Sequence, residues 1–165
     1  MKQLLLIRHA EAEQATHFGK DFDRELNTTG YADASRMGKL LSSKVSGGVP
    51  LRIQAVYASP ARRTRTTAQL ICEQIGFDAE HIVFDPEIYQ TSVRKLMLII
   101  NGLDEQYDTV MVIGHNPHLT YLAEMLSHAE IGSLLPCGVV CLVFEDQTWA
   151  EISASTGKIA WYVHP

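Results

Sequence analysis

Long apolar runs, an excess of positive charge, paired cysteines and low-complexity tracts are all missing from this chain, and each absence removes a class of protein. The longest uninterrupted apolar run, residues 139–144, has six residues, whereas a membrane-spanning helix needs about 18 or more. Near the N-terminus only residues 4–7 are continuously apolar before Arg8 and His9 interrupt them. That stretch is too short for the core of a secretory signal, so the expected location is cytoplasmic. The formal charge of −5 lacks the basic field that a broad nucleic-acid surface requires. The expected partners therefore include neither nucleic acid nor membrane, and any anion site must be a local cluster. The three cysteines, Cys72, Cys137 and Cys141, form neither an even disulfide set nor two close pairs for zinc. The apolar surroundings of Cys141 assign it to the core. With 6 prolines and 11 glycines in 165 residues, the chain is neither collagenous nor disordered. It is expected to form one domain, 1–165, of ordinary composition.

What is present is an alternation. Residues 4–7, 55–58, 82–84, 110–113 and 139–144 are short apolar runs of buried-strand length. Between them lie apolar stripes at helical spacing: Ala61, Ala68, Ile71, Cys72 and Ile75, then Val93, Leu96, Met97 and Ile100, then Leu119, Leu122, Ala123 and Leu126. Ala34, Met37 and Leu41 mark a further helix that Asn27 or Thr28 could cap. This order predicts an α/β fold, a three-layer α/β/α sandwich with a mostly parallel central sheet. Residues 139–144, the stretch around Trp149 to Ile152, and residues 158–163 are strand candidates without intervening helices, which predicts an antiparallel C-terminal addition. Residues 46–50 and 104–108 read as surface loops.

In open α/β sheets, ligands bind beyond the carboxyl ends of the strands. The residues that follow the predicted strands are Arg8-His9, Ser59-Pro60-Ala61-Arg62-Arg63, Asp85-Pro86-Glu87 and Gly114-His115-Asn116-Pro117. Two arginines from separate strand ends could fork a phosphoryl group between them. Ser59-Pro60 and Asn116-Pro117 each place a capping residue before proline, which predicts two helix N-termini facing the same anion. A neutral imidazole there could attack phosphorus, provided a hydrogen bond fixes its tautomer. His115 and His118 lie three apart with no second ligand pair, so no metal is expected.

These residues resemble the histidine phosphatase superfamily, also called phosphoglycerate mutase-like. Leu-Leu-Ile-Arg-His-Ala at residues 5–10 is similar to its Arg-His-Gly motif, with Ala10 in place of the glycine. Residues 26–30 resemble its Leu-Thr-x-x-Gly segment. Residues 59–68 resemble Ser-Pro-x-x-Arg-x-x-Gln-Thr-Ala, with Thr66 where glutamine is common, and residues 114–117 resemble its second histidine motif. The resemblance implies a phosphorylated nucleophile at His9, with Arg8, Arg63 and His115 completing the phosphate pocket and no cofactor. It selects Arg63 over Arg62 and Arg65, which otherwise read as solvated helix charges. Glu87 falls where many members place a proton donor, although Asp-Pro-Glu also reads as a plain turn. Between Glu87 and a helix starting near Thr91 there is no room for a cap domain, so the site should be open. In this the chain is most similar to the SixA-like branch, whose members are described as protein phosphohistidine phosphatases. The expected substrate is a phosphorylated protein carrying phosphohistidine. The alternatives are a small phosphate ester, by phosphatase or mutase chemistry, and a non-catalytic module that binds phosphoproteins. The oligomeric state is left open.

Overall fold

A computed structural model describes residues 1–165. Its strands are β1 (Lys2–Arg8), β2 (Val45–Ser46), β3 (Val49–Pro50), β4 (Ala55–Ala58), β5 (Val83–Phe84), β6 (Thr109–Gly114), β7 (Val139–Phe144) and β8 (Lys158–Val163). The helices are α1 (Thr28–Ser42), α2 (Arg62–Ile75), α3 (Pro86–Tyr89), α4 (Val93–Asn101) and α5 (His118–Ser127). Six strands form one sheet in the order β5-β4-β6-β1-β7-β8. The first four are parallel, and β7 and β8 add antiparallel to the edge beside β1. No helix is long and apolar enough to cross a membrane.

Position in the sheet explains why the first strand is apolar without alternation. β1 lies between β6 and β7, so helices cover both of its faces, and Leu4, Leu5, Leu6 and Ile7 are all fully buried. Leu4 and Leu6 enter one core with Leu96 and Ile100 of α4 and Leu119 and Leu122 of α5. Leu5 and Ile7 enter the other core with Met37 and Leu41 of α1 and Ala68 and Ile71 of α2. Each such side chain contributes about 1.5–3 kcal/mol when fully buried.

Several local expectations need correction. Residues 149–151 form a single 3-10 turn, not a strand. Trp149 is apolar enough to suggest one, but its indole N–H donates to the Tyr107 carbonyl at 2.7 Å and its ring fills the α4/α5 core. Residues 46–50 are not simply a loop, because Val45–Ser46 and Val49–Pro50 pair across Gly47 and Gly48, both at positive φ. Helix α3 is an additional short turn, started by the Asp85 side chain accepting from the Glu87 N–H. Asn27, not Thr28, caps α1, accepting from the Gly30 N–H at 2.8 Å. All three cysteines are buried and free.

Candidate functional site

The site grows out of sheet register. Arg8 pairs with Gly114 at the parallel ends of β1 and β6, and the His9 N–H donates to the Gly114 carbonyl at 3.0 Å. His9 and His115 therefore leave the sheet side by side, with ring centroids 5.3 Å apart. On the other side of β6, Ala58 of β4 pairs with Ile113, and the Ser59 N–H donates to the Ile113 carbonyl. Ser59, His115 and His9 consequently stand in a row along the carboxyl edge.

His9 Nδ1 lies 2.7 Å from the Ala10 carbonyl oxygen. A carbonyl can only accept, so Nδ1 carries the proton and Nε2 keeps its lone pair. The exit of the strand is held in turn by Thr67, whose Oγ1 accepts from the Ala10 N–H at 3.0 Å and donates to the Arg63 carbonyl at 2.7 Å. Farther along, Glu11 O accepts from the Asn27 N–H, and Ala12 bridges to Leu26. A Cβ at position 30 would overlap the Glu11 carbonyl. That close approach is the physical requirement for glycine in the 26–30 segment.

His115 is held by side chains. Its Nε2 is 2.8 Å from Ser59 Oγ and 3.3 Å from Thr64 Oγ1, while Nδ1 lies 3.4 Å from Arg63 Nη2. Neither expected capping residue caps a helix. The first residue before α2 is Ala61 and the first before α5 is Pro117. Ser59 turns to His115, and Asn116 donates to Ser133 Oγ and the Leu134 carbonyl.

Arg63 is almost fully buried. Its Nη1 donates to the Asp21 carbonyl at 2.7 Å and its Nη2 to Asp21 Oδ2 at 3.0 Å. Arg8 Nη1 donates to the Leu134 carbonyl at 2.9 Å. The Nε atoms of Arg8 and Arg63 are both buried donors with no acceptor in the protein. Two such donors beside two histidines suit the oxygens of a phosphoryl group. By contrast, Arg62 pairs with Glu25 at 2.7 Å and Arg65 lies over the Phe84 ring at 3.9 Å. Thr66 also bonds Glu25, so the departure from glutamine leaves a polar tether between α2 and the preceding loop.

Burial and neighbouring guanidinium groups make both imidazoles poor bases. Burial, followed by the charges of Arg63 and Arg8, pushes His9 down to about 4, against the raising effect of the Ala10 hydrogen bond. Burial, then His9 and Arg63, pushes His115 down to about 3. Both rings are therefore neutral at physiological pH in the free protein.

The structure brings Arg8, His9, Arg63 and His115 together on one edge. Glu87 stands apart, exposed on the first turn of α3 and paired with Lys95 at 2.8 Å. Its neighbour Tyr89 reaches the site instead, packing edge-on against His115 at 5.6 Å and donating its hydroxyl to Asp21 Oδ2 at 2.8 Å. Asp21, Tyr89 and Thr67 were not singled out from the sequence. Asp21 sits in an aperiodic polar stretch and no local pattern marks Tyr89, whereas Thr67 is the threonine of the matched 59–68 segment, which was given no role there.

A family model of the histidine phosphatase superfamily (branch 1) matches residues 4–89. The chain belongs to the histidine phosphatase superfamily. Across its length this histidine phosphatase is 32% identical to a chloroplastic protein of Arabidopsis thaliana that is itself uncharacterised, covering 97% of the chain and 74% of that relative. Its fold is similar to that of a SixA from Agrobacterium tumefaciens assigned as a phosphohistidine phosphatase, with a TM-score of 0.80, 25% identity and 99% and 98% of the two chains covered. It also resembles the protein histidine phosphatase SixA in complex with tungstate, with a TM-score of 0.82, 20% identity and 99% and 97% covered. A mycobacterial glucosyl-3-phosphoglycerate phosphatase is less similar, at a TM-score of 0.69, 12% identity and 96% and 97% covered. Family and fold together make this chain a phosphatase built around a six-stranded mixed sheet.

Proposed function

We propose that the protein removes phosphate from phosphohistidine on a partner protein, through a phosphoenzyme on His9 and without a metal. The observation that carries the reading is the His9 tautomer, with Nδ1 fixed on the Ala10 carbonyl and Nε2 bare beside His115. The Nε2 lone pair attacks phosphorus and the bond to the substrate nitrogen breaks; the substrate ring, already protonated from solvent on its other nitrogen, leaves as neutral imidazole. Water then attacks phosphorus, the bond to Nε2 breaks, and inorganic phosphate leaves with His9 neutral again. Arg8 and Arg63 supply charge to the equatorial oxygens in both steps. In the free protein Arg63 Nη2 can only donate to His115 Nδ1, so the neutral ring keeps its proton on Nε2, toward the Ser59 hydroxyl; a bound phosphoryl dianion favours a second proton on Nδ1, which then donates to a phosphoryl oxygen.

Substrate class is supported by what surrounds the pocket. Only residues 90–92 separate α3 from α4, so no cap inserts there. An uncovered edge suits a phosphoryl group carried on another protein, whereas a mutase must exclude water to return the phosphate. The phosphohistidine nitrogen can be protonated before cleavage, which asks little of a dedicated acid. In this reading Glu87, held outside the pocket by Lys95, is not needed as a proton donor. Glu87→Gln should leave phosphohistidine turnover within about threefold.

The fold is shared with a phosphatase of a small ester, so that alternative enters the same experiment. Phosphate release is measured from a phosphohistidine peptide, a phosphoserine peptide and a small phosphate ester, with chelator present, for wild type and His9→Ala. Chelator-resistant, His9-dependent release favouring phosphohistidine is the expected result. Faster release from the ester would move the protein to small-molecule chemistry. Phosphopeptide binding without release from any substrate would leave a binding module.

A further inference from the structure

A guanidinium has two edges that can bind an anion with paired donors: the end formed by its two terminal nitrogens, and the side formed by Nε and Nη2. In Arg63 the end is taken. Nη1 donates to the Asp21 carbonyl and Nη2 to the Asp21 carboxylate, at 2.7 and 3.0 Å. On the side, Nε is buried and without an acceptor, while the second Nη2 hydrogen reaches His115 Nδ1 at 3.4 Å.

Asp21 is itself fixed from three directions. Oδ2 accepts from Arg63 and from the Tyr89 hydroxyl at 2.8 Å, and Oδ1 accepts from Arg24 Nη1 at 2.9 Å. Tyr89 also presses edge-on against His115 at 5.6 Å and against Phe22 at 5.1 Å. One carboxylate on a loop thus joins α2, α3 and the His115 ring, none of which adjoins it in sequence.

We propose that Asp21 is a positioning residue for the phosphate pocket: by occupying the end of Arg63 it presents the Nε side of that guanidinium to the phosphoryl group, with Tyr89 locking the carboxylate in place. Arg63 has a long side chain with several rotamers, so without this anchor the same charge would be present but its paired donors would not be aimed. The role rests on the phosphatase reading for its consequence in turnover, but not for its consequence in phosphate binding.

The test uses the full chain in three forms besides wild type: Asp21→Ala, Asp21→Glu and Tyr89→Phe. The readouts are kcat and KM on a phosphohistidine peptide and the Arg63 side-chain resonances in ¹H–¹⁵N spectra, titrated with inorganic phosphate. In wild type, separate Nη signals and a phosphate-dependent shift of Nε are expected. Asp21→Ala should merge the Nη signals, weaken the Nε response and lower kcat/KM about 100-fold, the scale of a misplaced catalytic contact. Asp21→Glu should recover part of that loss, and Tyr89→Phe should cost roughly 5-fold, as expected for one hydrogen bond. Unchanged Arg63 resonances and unchanged phosphate titration in a folded Asp21→Ala protein would overturn the proposal. So would a shift of the Nη signals, with Nε silent, when phosphate is added to wild type. Should wild type release phosphate from no substrate, the phosphatase reading fails while the spectra still decide the role of Asp21.

Discussion

The exits of β1 and β6 are neighbours in the sheet and each delivers a histidine, yet the two rings are held in opposite ways. His9 is held through one nitrogen by a backbone carbonyl, which leaves its other nitrogen bare and its ring partly open to solvent. His115 is buried and ringed by side chains, with Ser59 and Thr64 on one nitrogen and Arg63 beside the other. A backbone acceptor fixes one tautomer and cannot donate in return, which suits a nucleophile. Hydroxyls can donate or accept, which suits a ring that must present a proton to an oxyanion. The lesson is that residue type alone does not assign a role to either histidine; the chemistry of what each ring leans on does.

The sharpest way to break this contrast is to remove the rings in turn. His9→Ala should abolish phosphoenzyme formation and lower turnover by about 10⁴-fold or more, as for other nucleophile deletions. The check is transfer of label from a ³²P-phosphohistidine peptide to the protein. His115→Ala should still form some phosphoenzyme, but more slowly by roughly 10²- to 10³-fold, the cost of losing an oxyanion donor. Equal loss of labelling in both variants would erase the distinction between attacker and donor.

Acid titration sharpens it from the side of stability. Both rings are neutral in the folded protein, at about 4 for His9 and about 3 for His115, against about 6.5 when unfolded. The unfolded chain therefore binds more protons below pH 6.5, so this contribution is fully present above that value and is lost as pH falls toward 4 and then 3. Each ring adds a slope of at most about 1.4 kcal/mol per pH unit. In chemical denaturation across pH 7 to 3.5, His9→Asn and His115→Asn should each flatten the fall in stability between about pH 6.5 and 4. Smaller still is Ser59→Ala, which leaves Thr64 as a partner and should lower turnover about fivefold, the worth of one hydrogen bond, with little change in labelling yield. A loss as large as that of His115→Ala would mean that Ser59 itself touches the phosphate.

Much of this was readable before any coordinates. Leu4 to Ile7 is apolar on both faces because β1 is central, and α5 shows its full stripe of Leu119, Leu122, Ala123 and Leu126, all buried. Trp149 shows where such reading stops: an apolar residue among turn formers reads as strand, and only the Tyr107 carbonyl explains the 3-10 turn. Ser59 shows the same limit at the site, since a serine before proline reads as a helix cap until the register of β4 and β6 sets it against His115.

Strand runs, helix faces and the polar residues that follow them are properties of short stretches of chain, where spacing and burial act over a few residues. The sequence by itself therefore determined the α/β class and placed Arg8, His9 and His115 at strand ends, whereas the choice of Arg63 over Arg62 and Arg65 came from the family resemblance. Tertiary structure alone decided that Asp21 would hold Arg63 across 42 positions, that Tyr89 and not Glu87 would reach the pocket, and what each histidine ring leans on. Those are contacts between distant segments, set by how the layers pack, and no local pattern encodes them.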